Sequence, residues 1–219
     1  MATTRRSPAG EAIVAGVDVG AEKKGCNVVV LRGTQVVANE NGVEPESIPA
    51  ICAQHTVLMV GVDAPCMWRQ GDAARQAERD MARAGVSSFS TPTEARGRES
   101  AFFGWMFFGM RVYQSLQATH PRLQTARLAM GPACFETFPH AITCALLGTD
   151  VARAGLKRTQ RKALLESLGI DAGNLTSVDA RDAALCAVTA QFLLRGKTRT
   201  YGDLAGGFIH VPDTKRVIL

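Results

Sequence analysis

Two apolar stretches, "AIVAGVDVG" (12–20) and "TVLMVGVDAP" (56–65), close on the same three letters, Gly-Val-Asp. Both read as buried strands, the first ending at Gly20 and the second stopped by Pro65, which has no backbone N–H to give a ladder. Aspartate is a poor strand residue, and an ionised carboxylate at the end of a buried strand is costly without a counter-charge. If the two strands are parallel neighbours, Asp18 and Asp63 end side by side, about 5 Å apart at the usual strand spacing. Two like charges that close repel unless a cation is shared or one of them is protonated. The carboxyl ends of parallel strands are also where open α/β sheets place their ligands.

The flanking segments support that pairing. "CNVVVL" (26–31), a turn at Arg32-Gly33 and "TQVVANE" (34–40) continue the first strand into an antiparallel meander. The weakly helical "PESIPAICAQH" (45–55) then supplies a crossover, so that 56–65 returns parallel to the first strand. From 71 to 84 the spacing predicts a polar helix with Arg75, Arg79 and Arg83 on one face. That face is either a solvated one pairing with Asp72, Glu78 and Asp80, or a row that contacts phosphates. Residues 86–131 read as an insertion, loop-like at first and then helical through "AFFGWMFFGMRVYQSLQ", whose aromatics fill a core or a homodimer interface. A short strand in "ACFETFPHAI" (133–142) leads into a helix through "TCALLG". A helix with a cationic first half spans 156–170, and the last strong element is a helix over 177–196 that stops at Gly196.

On that last helix Asp179 and Asp182 are three apart and share a face, while Ala183, Ala184, Ala187 and Ala190 keep it slim enough to lie against a sheet. Glu136 ends a third candidate strand. Together Asp18, Asp63, Glu136, Asp179 and Asp182 make an all-oxygen donor set suited to Mg²⁺ or Mn²⁺. Singly, each acid reads equally as a cap or a surface group, and Asp179 as a helix N-cap. The four histidines lack zinc-site spacing, so any metal is expected on oxygen. The six cysteines include no C-x-x-C pair, which predicts buried thiols in a reduced, cytoplasmic chain. No apolar run approaches the ~20 residues of a membrane span, and no G-x-S-x-G or paired Cys/His nucleophile occurs. A formal charge of +5 over 219 residues permits a polyanionic partner. Lys23 and Lys24, in the first turn beside Asp18, and Lys157 and Arg161 in the cationic helix are, with Arg75 and Arg79, the candidates to hold its phosphates.

"GVDVGAEKKGCNVVVL", "GVDAP" and the late "DARDAALCA" together resemble the ribonuclease H-like superfamily, and the last is similar to the D-x-x-D-A pattern of Holliday-junction resolvases. With the Arg-rich helix, "FETFPHA" and "KRTQRKALL", the set resembles domain-of-unknown-function family 429, predicted nucleases of that fold, in order over 13–212. The resemblance implies an α/β, three-layer ribonuclease H-like fold: a mixed five-stranded sheet, antiparallel meander plus parallel strands, with helices on both faces and a helical insertion at about 86–131. It implies one domain over 12–212 between tails at 1–11 and 213–219. Carried over, it puts Asp18 and Asp63 at metal-bearing strand ends, Glu136 beside them, Asp182 on the closing helix and Asp179 as helper. The implied activity is divalent-metal-dependent hydrolysis of nucleic-acid phosphodiesters. Resolvases usually carry Glu on the fourth strand where this chain has the shorter Asp63. Two other readings stay open: a non-catalytic domain of this fold that binds nucleic acid or protein, and an actin-like or sugar-kinase-like phosphotransferase acting as a dimer, since 219 residues hold only one copy of the fold.

Overall fold

A computed structural model describes residues 12–126 and 131–213. The expected tail at 1–11 and all but the first residue of the one at 213–219 lie outside them. The meander forms β1 (Ile13–Val19), β2 (Cys26–Arg32) and β3 (Gln35–Val43), and a short helix α1 (Ile48–Gln54) crosses over to β4 (Met59–Asp63). Then follow α2 (Gln76–Arg83), α3 (Glu94–Arg98), α4 (Gly104–Leu116), β5 (Ala133–Glu136), α5 (Pro139–Leu147), α6 (Lys157–Ser167) and α7 (Val178–Leu194). A hairpin, β6 (Thr198–Asp203) and β7 (Gly207–Pro212), ends the described chain.

The strands form one mixed sheet in the order β3-β2-β1-β4-β5-β7-β6, with seven strands rather than the expected five. The two unforeseen strands lie beyond the 177–196 helix. β6, "TRTYGD", is too polar and too exposed to show an apolar period, because it is the sheet edge and only one side of it is paired. β7 pairs parallel to β5 only at Glu136 and Ile209, and antiparallel to β6 along its length. β1, β4 and β5 run parallel, as the crossover reading requires.

Helices cover both faces. On one, α6 and α7 pack on Val14, Val29, Leu31, Met59 and Phe135. On the other, α1 and α4 pack on Ala15, Val17, Val28, Val60 and Val62. Odd and even positions of each strand therefore serve separate cores, as the two-residue period of a strand demands. A third cluster joins α2, α5 and β7 through Met81, Ala141, Ile209 and Val211.

Register explains the repeated motif. Gly16, Val17 and Asp18 lie opposite Gly61, Val62 and Asp63, residue for residue. The valines enter the α1/α4 core. The glycines face α7: a Cβ on Gly16 would run into the backbone at Ala183 and Ala187, and one on Gly61 would sit 2.5 Å from the Cys186 carbonyl oxygen. Small residues on both sides let α7 lie nearly on the strands, with Ala183, Ala184, Ala187 and Ala190 fully buried. The aspartates, two residues on from the glycines, extend toward the start of the same helix.

The aromatic segment supplies a wall of this structure. Phe108 of α4 is buried in the second core, whereas Phe102, just ahead of α4, is 72% exposed. All six cysteines are buried and unpaired. No helix among the described residues is long and apolar enough to cross a membrane.

Candidate functional site

At the carboxyl ends of β1 and β4, Asp18 and Asp63 are register partners on the face that α7 covers. Asp182, in the second turn of α7, faces them. Ser177 caps that helix, its hydroxyl accepting from the Ala180 N–H at 2.9 Å. The cap role open to Asp179 thus falls to Ser177, and Asp179 in the first turn forms an ion pair with Lys24 of the β1–β2 turn.

Three carboxyls are crowded here, and their electrostatics record it. Burial pushes Asp18 up to about 7, and the charges of Asp182 and Asp179 push the same way against Lys24 and Arg161. Burial, then the charges of Asp18 and Asp182, hold Asp63 well above the usual carboxylate range. Asp182 rises to about 6, raised by burial and pulled back by Arg161 and Lys157. Arg161 donates to Asp182 Oδ2, and both side chains are buried. Asp182 Oδ1 is buried with no hydrogen-bond partner among the described residues.

Glu136 is not brought to this cluster. It is the register partner of Val62, so it shares Val62's face of the sheet and lies across the strands from Asp63. Its carboxylate is occupied there: Arg75 donates to both oxygens, at 2.9 and 2.6 Å, and the Cys66 N–H donates at 2.8 Å. The expectation that it sits beside Asp18 and Asp63 fails by the parity of one residue, which decides the face of a strand.

The phosphate candidates divide as well. Arg75 is buried in its clamp with Glu136 and Glu78 and does not form a helical row with Arg79 and Arg83, since α2 begins only at Gln76. Arg79 is turned onto its own segment, donating to the Ala74 carbonyl and the Gln76 side chain. Arg161 is an internal counter-ion rather than a surface cation. Lys23, Lys24 and Lys157 remain exposed around the acids. A sequence signal for Arg161 existed: with Leu164, Leu165 and Leu168 it stands at i, i+3, i+4 and i+7, on the apolar stripe of its helix, where a cation needs a buried acid.

Fold and site together define a mixed α/β protein with a crowded, arginine-compensated acid cluster at the ends of two parallel strands. The chain belongs to the family described as "Protein of unknown function (DUF429)", which matches residues 16–205. A search of curated proteins finds no match. Among solved structures the chain is similar to RuvC of Thermus thermophilus at 15% identity, over 84% of this chain and 96% of that one, with a TM-score of 0.42. A likeness of that size says nothing of shared chemistry.

Proposed function

We propose that this chain is a divalent-metal-dependent nuclease of ribonuclease H-like architecture, hydrolysing nucleic-acid phosphodiesters at Asp18, Asp63 and Asp182. The observation that carries the reading is the register of β1 and β4, which sets two buried carboxyls side by side under a third. Burying like charges together is unfavourable; protonation relieves it at low pH, and a shared cation relieves it where the carboxyls ionise.

The residues fit such an ion by chemistry. The donors are all hard oxygens, which suit Mg²⁺ or Mn²⁺, and Asp182 Oδ1 is a buried acceptor with no partner. Among the described residues no three acidic, histidine or cysteine side chains already converge on one point, and Arg161 supplies the compensating charge. Asp18, Asp63 and Asp182 would hold the ion, with Asp179 at the margin; when bound it supplies Lewis-acid stabilisation and an acidified water. Lys157 and the Lys23-Lys24 turn flank the acids and orient the phosphate backbone. Glu136 has no part in the reaction.

Arg161 favours a second reading, a non-catalytic nucleic-acid-binding domain, because it pairs with Asp182 without any ion. Incubating the protein with labelled single-stranded, duplex, hybrid and branched substrates separates the two. The nuclease reading predicts cleavage in Mn²⁺ or Mg²⁺ that EDTA abolishes, reduced by about 100-fold or more in Asp18→Asn and Asp63→Asn. Binding of these substrates without cleavage of any of them would leave the non-catalytic reading standing alone.

A further inference from the structure

On the α4 side of the sheet a groove of about 520 Å³ runs between the loop that follows β4, the C-terminal half of α4 and the segment at 122–124. That volume is within the range of specific ligand sites. The groove is open on one side, which suits a chain laid along it better than an enclosed small molecule. Cys66 stands at its near end, and the three residues that join Cys66 to Asp63 span at most about 11 Å.

The lining combines three chemistries. Met67, Trp68 and Met110 give a half-buried apolar floor. Gln114, Gln117 and Gln124 stand exposed along the rim, each with an amide that both donates and accepts. Arg122 is the only charged side chain among the described residues of the lining. Its Nη1 donates to the Cys66 carbonyl at 3.1 Å and reaches the Cys66 sulfur at 3.6 Å. Those neutral partners fix the guanidinium without cancelling its charge, whereas Arg75, Arg111 and Arg161 are each paired with an acid.

An occupant that suits this lining carries an anion at one point, an apolar or planar surface beside it, and groups that exchange hydrogen bonds with amides. A nucleotide meets all three conditions, with its phosphate on Arg122, its ring on the thioether and indole surface and its base edge toward the glutamines. An acidic peptide would also satisfy Arg122, but the short reach from Cys66 to Asp63 favours the strand on which the acids act. We propose that this groove carries the single-stranded flank of the substrate, with one phosphate on Arg122, where the strand passes from the acid cluster over the end of β4 onto the α4 side. The inference rests on the nucleic-acid reading above and adds to it a second contact surface, on the side of the sheet away from α7.

Binding is measured in EDTA, so that no cleavage intervenes, by fluorescence anisotropy with short single-stranded DNA and RNA. Gln114→Glu and Gln117→Glu each add one negative charge to the groove at an exposed position, and Gln54→Glu on α1 adds the same charge outside it. Each groove variant is expected to bind about three- to tenfold more weakly than wild type, and Gln54→Glu to stay within about twofold, all three with the wild-type melting temperature. Arg122→Gln should lower the slope of log affinity against log salt by about 0.7, the share of one phosphate on a single strand, and Arg122→Lys should restore it. Loss of the Cys66 contact alone would not move that slope. Groove variants that bind like wild type overturn the proposal and leave the nuclease reading intact, because contacts beside the acids would then carry the strand. Equal weakening by Gln54→Glu overturns it too, since net charge alone would account for the loss. Binding of polyglutamate with no affinity for either strand overturns it in favour of an acidic protein partner. Failure to bind any of these, with Mn²⁺ still raising the melting temperature, removes groove and nucleic-acid substrate together and keeps only the cation site.

Discussion

Asp18 would titrate near its ordinary value of 3.8 in an unfolded chain and does so at about 7 in the folded one. Asp63 and Asp182 move the same way. Between those limits the folded state holds more protons than the unfolded state, so stability is fully present below about pH 4 and is lost as pH rises through 6 to 7. Full ionisation of Asp18 alone, from 3.8 to about 7, costs on the order of 4 kcal/mol, part of it shared with its neighbours. The melting temperature in EDTA should therefore fall as pH rises from about 4 to 7, and Asp18→Asn should raise it at pH 8 by up to about 8–16 °C and by roughly a third as much at pH 5. Asp182→Asn should give a smaller gain at pH 8, because the neutral amide relieves the same crowding but no longer pairs as an anion with the buried Arg161; chemical denaturation reads the difference between the two variants. Titrating Mn²⁺ into wild type at pH 6 should release protons, measured as buffer-dependent heat, and release fewer at pH 8; Asp63→Asn should abolish both heats. An opposite pH trend in stability would remove the physical basis of the site. The acids of the cluster are legible in the sequence because each closes an apolar run or repeats along a helix. Glu136 ends its strand as expected but faces away from Asp63, since its parity depends on how β5 is set against β4.

At the scale of elements, the contact of α7 with β1 and β4 holds the site together. Gly61→Ala places a methyl group 2.5 Å from the Cys186 carbonyl and 3.2 Å from Phe135, so α7 has to lift. The expected cost is about 3 kcal/mol, and hydrogen exchange in α7 should accelerate along with a weakened response to Mn²⁺, because Asp182 moves with the helix. On the opposite face, Arg75→Met leaves Glu136 and Glu78 buried without their counter-charge, which should cost roughly 3–5 kcal/mol. Adding Glu136→Gln to it should recover part of that loss in a denaturation midpoint, which a simple packing defect at Arg75 would not allow. The helices from 157 and 178 onward were plain in the sequence because apolar period, small residues and stop signals agreed. α2 is shorter than the spacing over 71–84 predicts: it starts at Gln76, and Arg75 ahead of it bridges Glu78 and Glu136 instead of joining a helical row.

Across the whole molecule, one sheet sorts its residues into two cores by alternation, and the ends of its central strands form a ledge with the acids on one side and the Arg75–Glu136 clamp on the other. The sequence alone determined the meander, the parallel return of β4, the apolar faces of the helices and the pair Asp18 and Asp63, because periodicity and strand-end chemistry are local properties written residue by residue. Only the tertiary structure decided that β6 and β7 extend the sheet, that Glu136 lies behind it, and that Arg161 and Arg75 are inward counter-ions rather than a surface row. Those outcomes depend on which faces meet. A polar edge strand or a buried arginine gains its place from partners scores of residues away, whose charge or backbone groups a local reading does not contain.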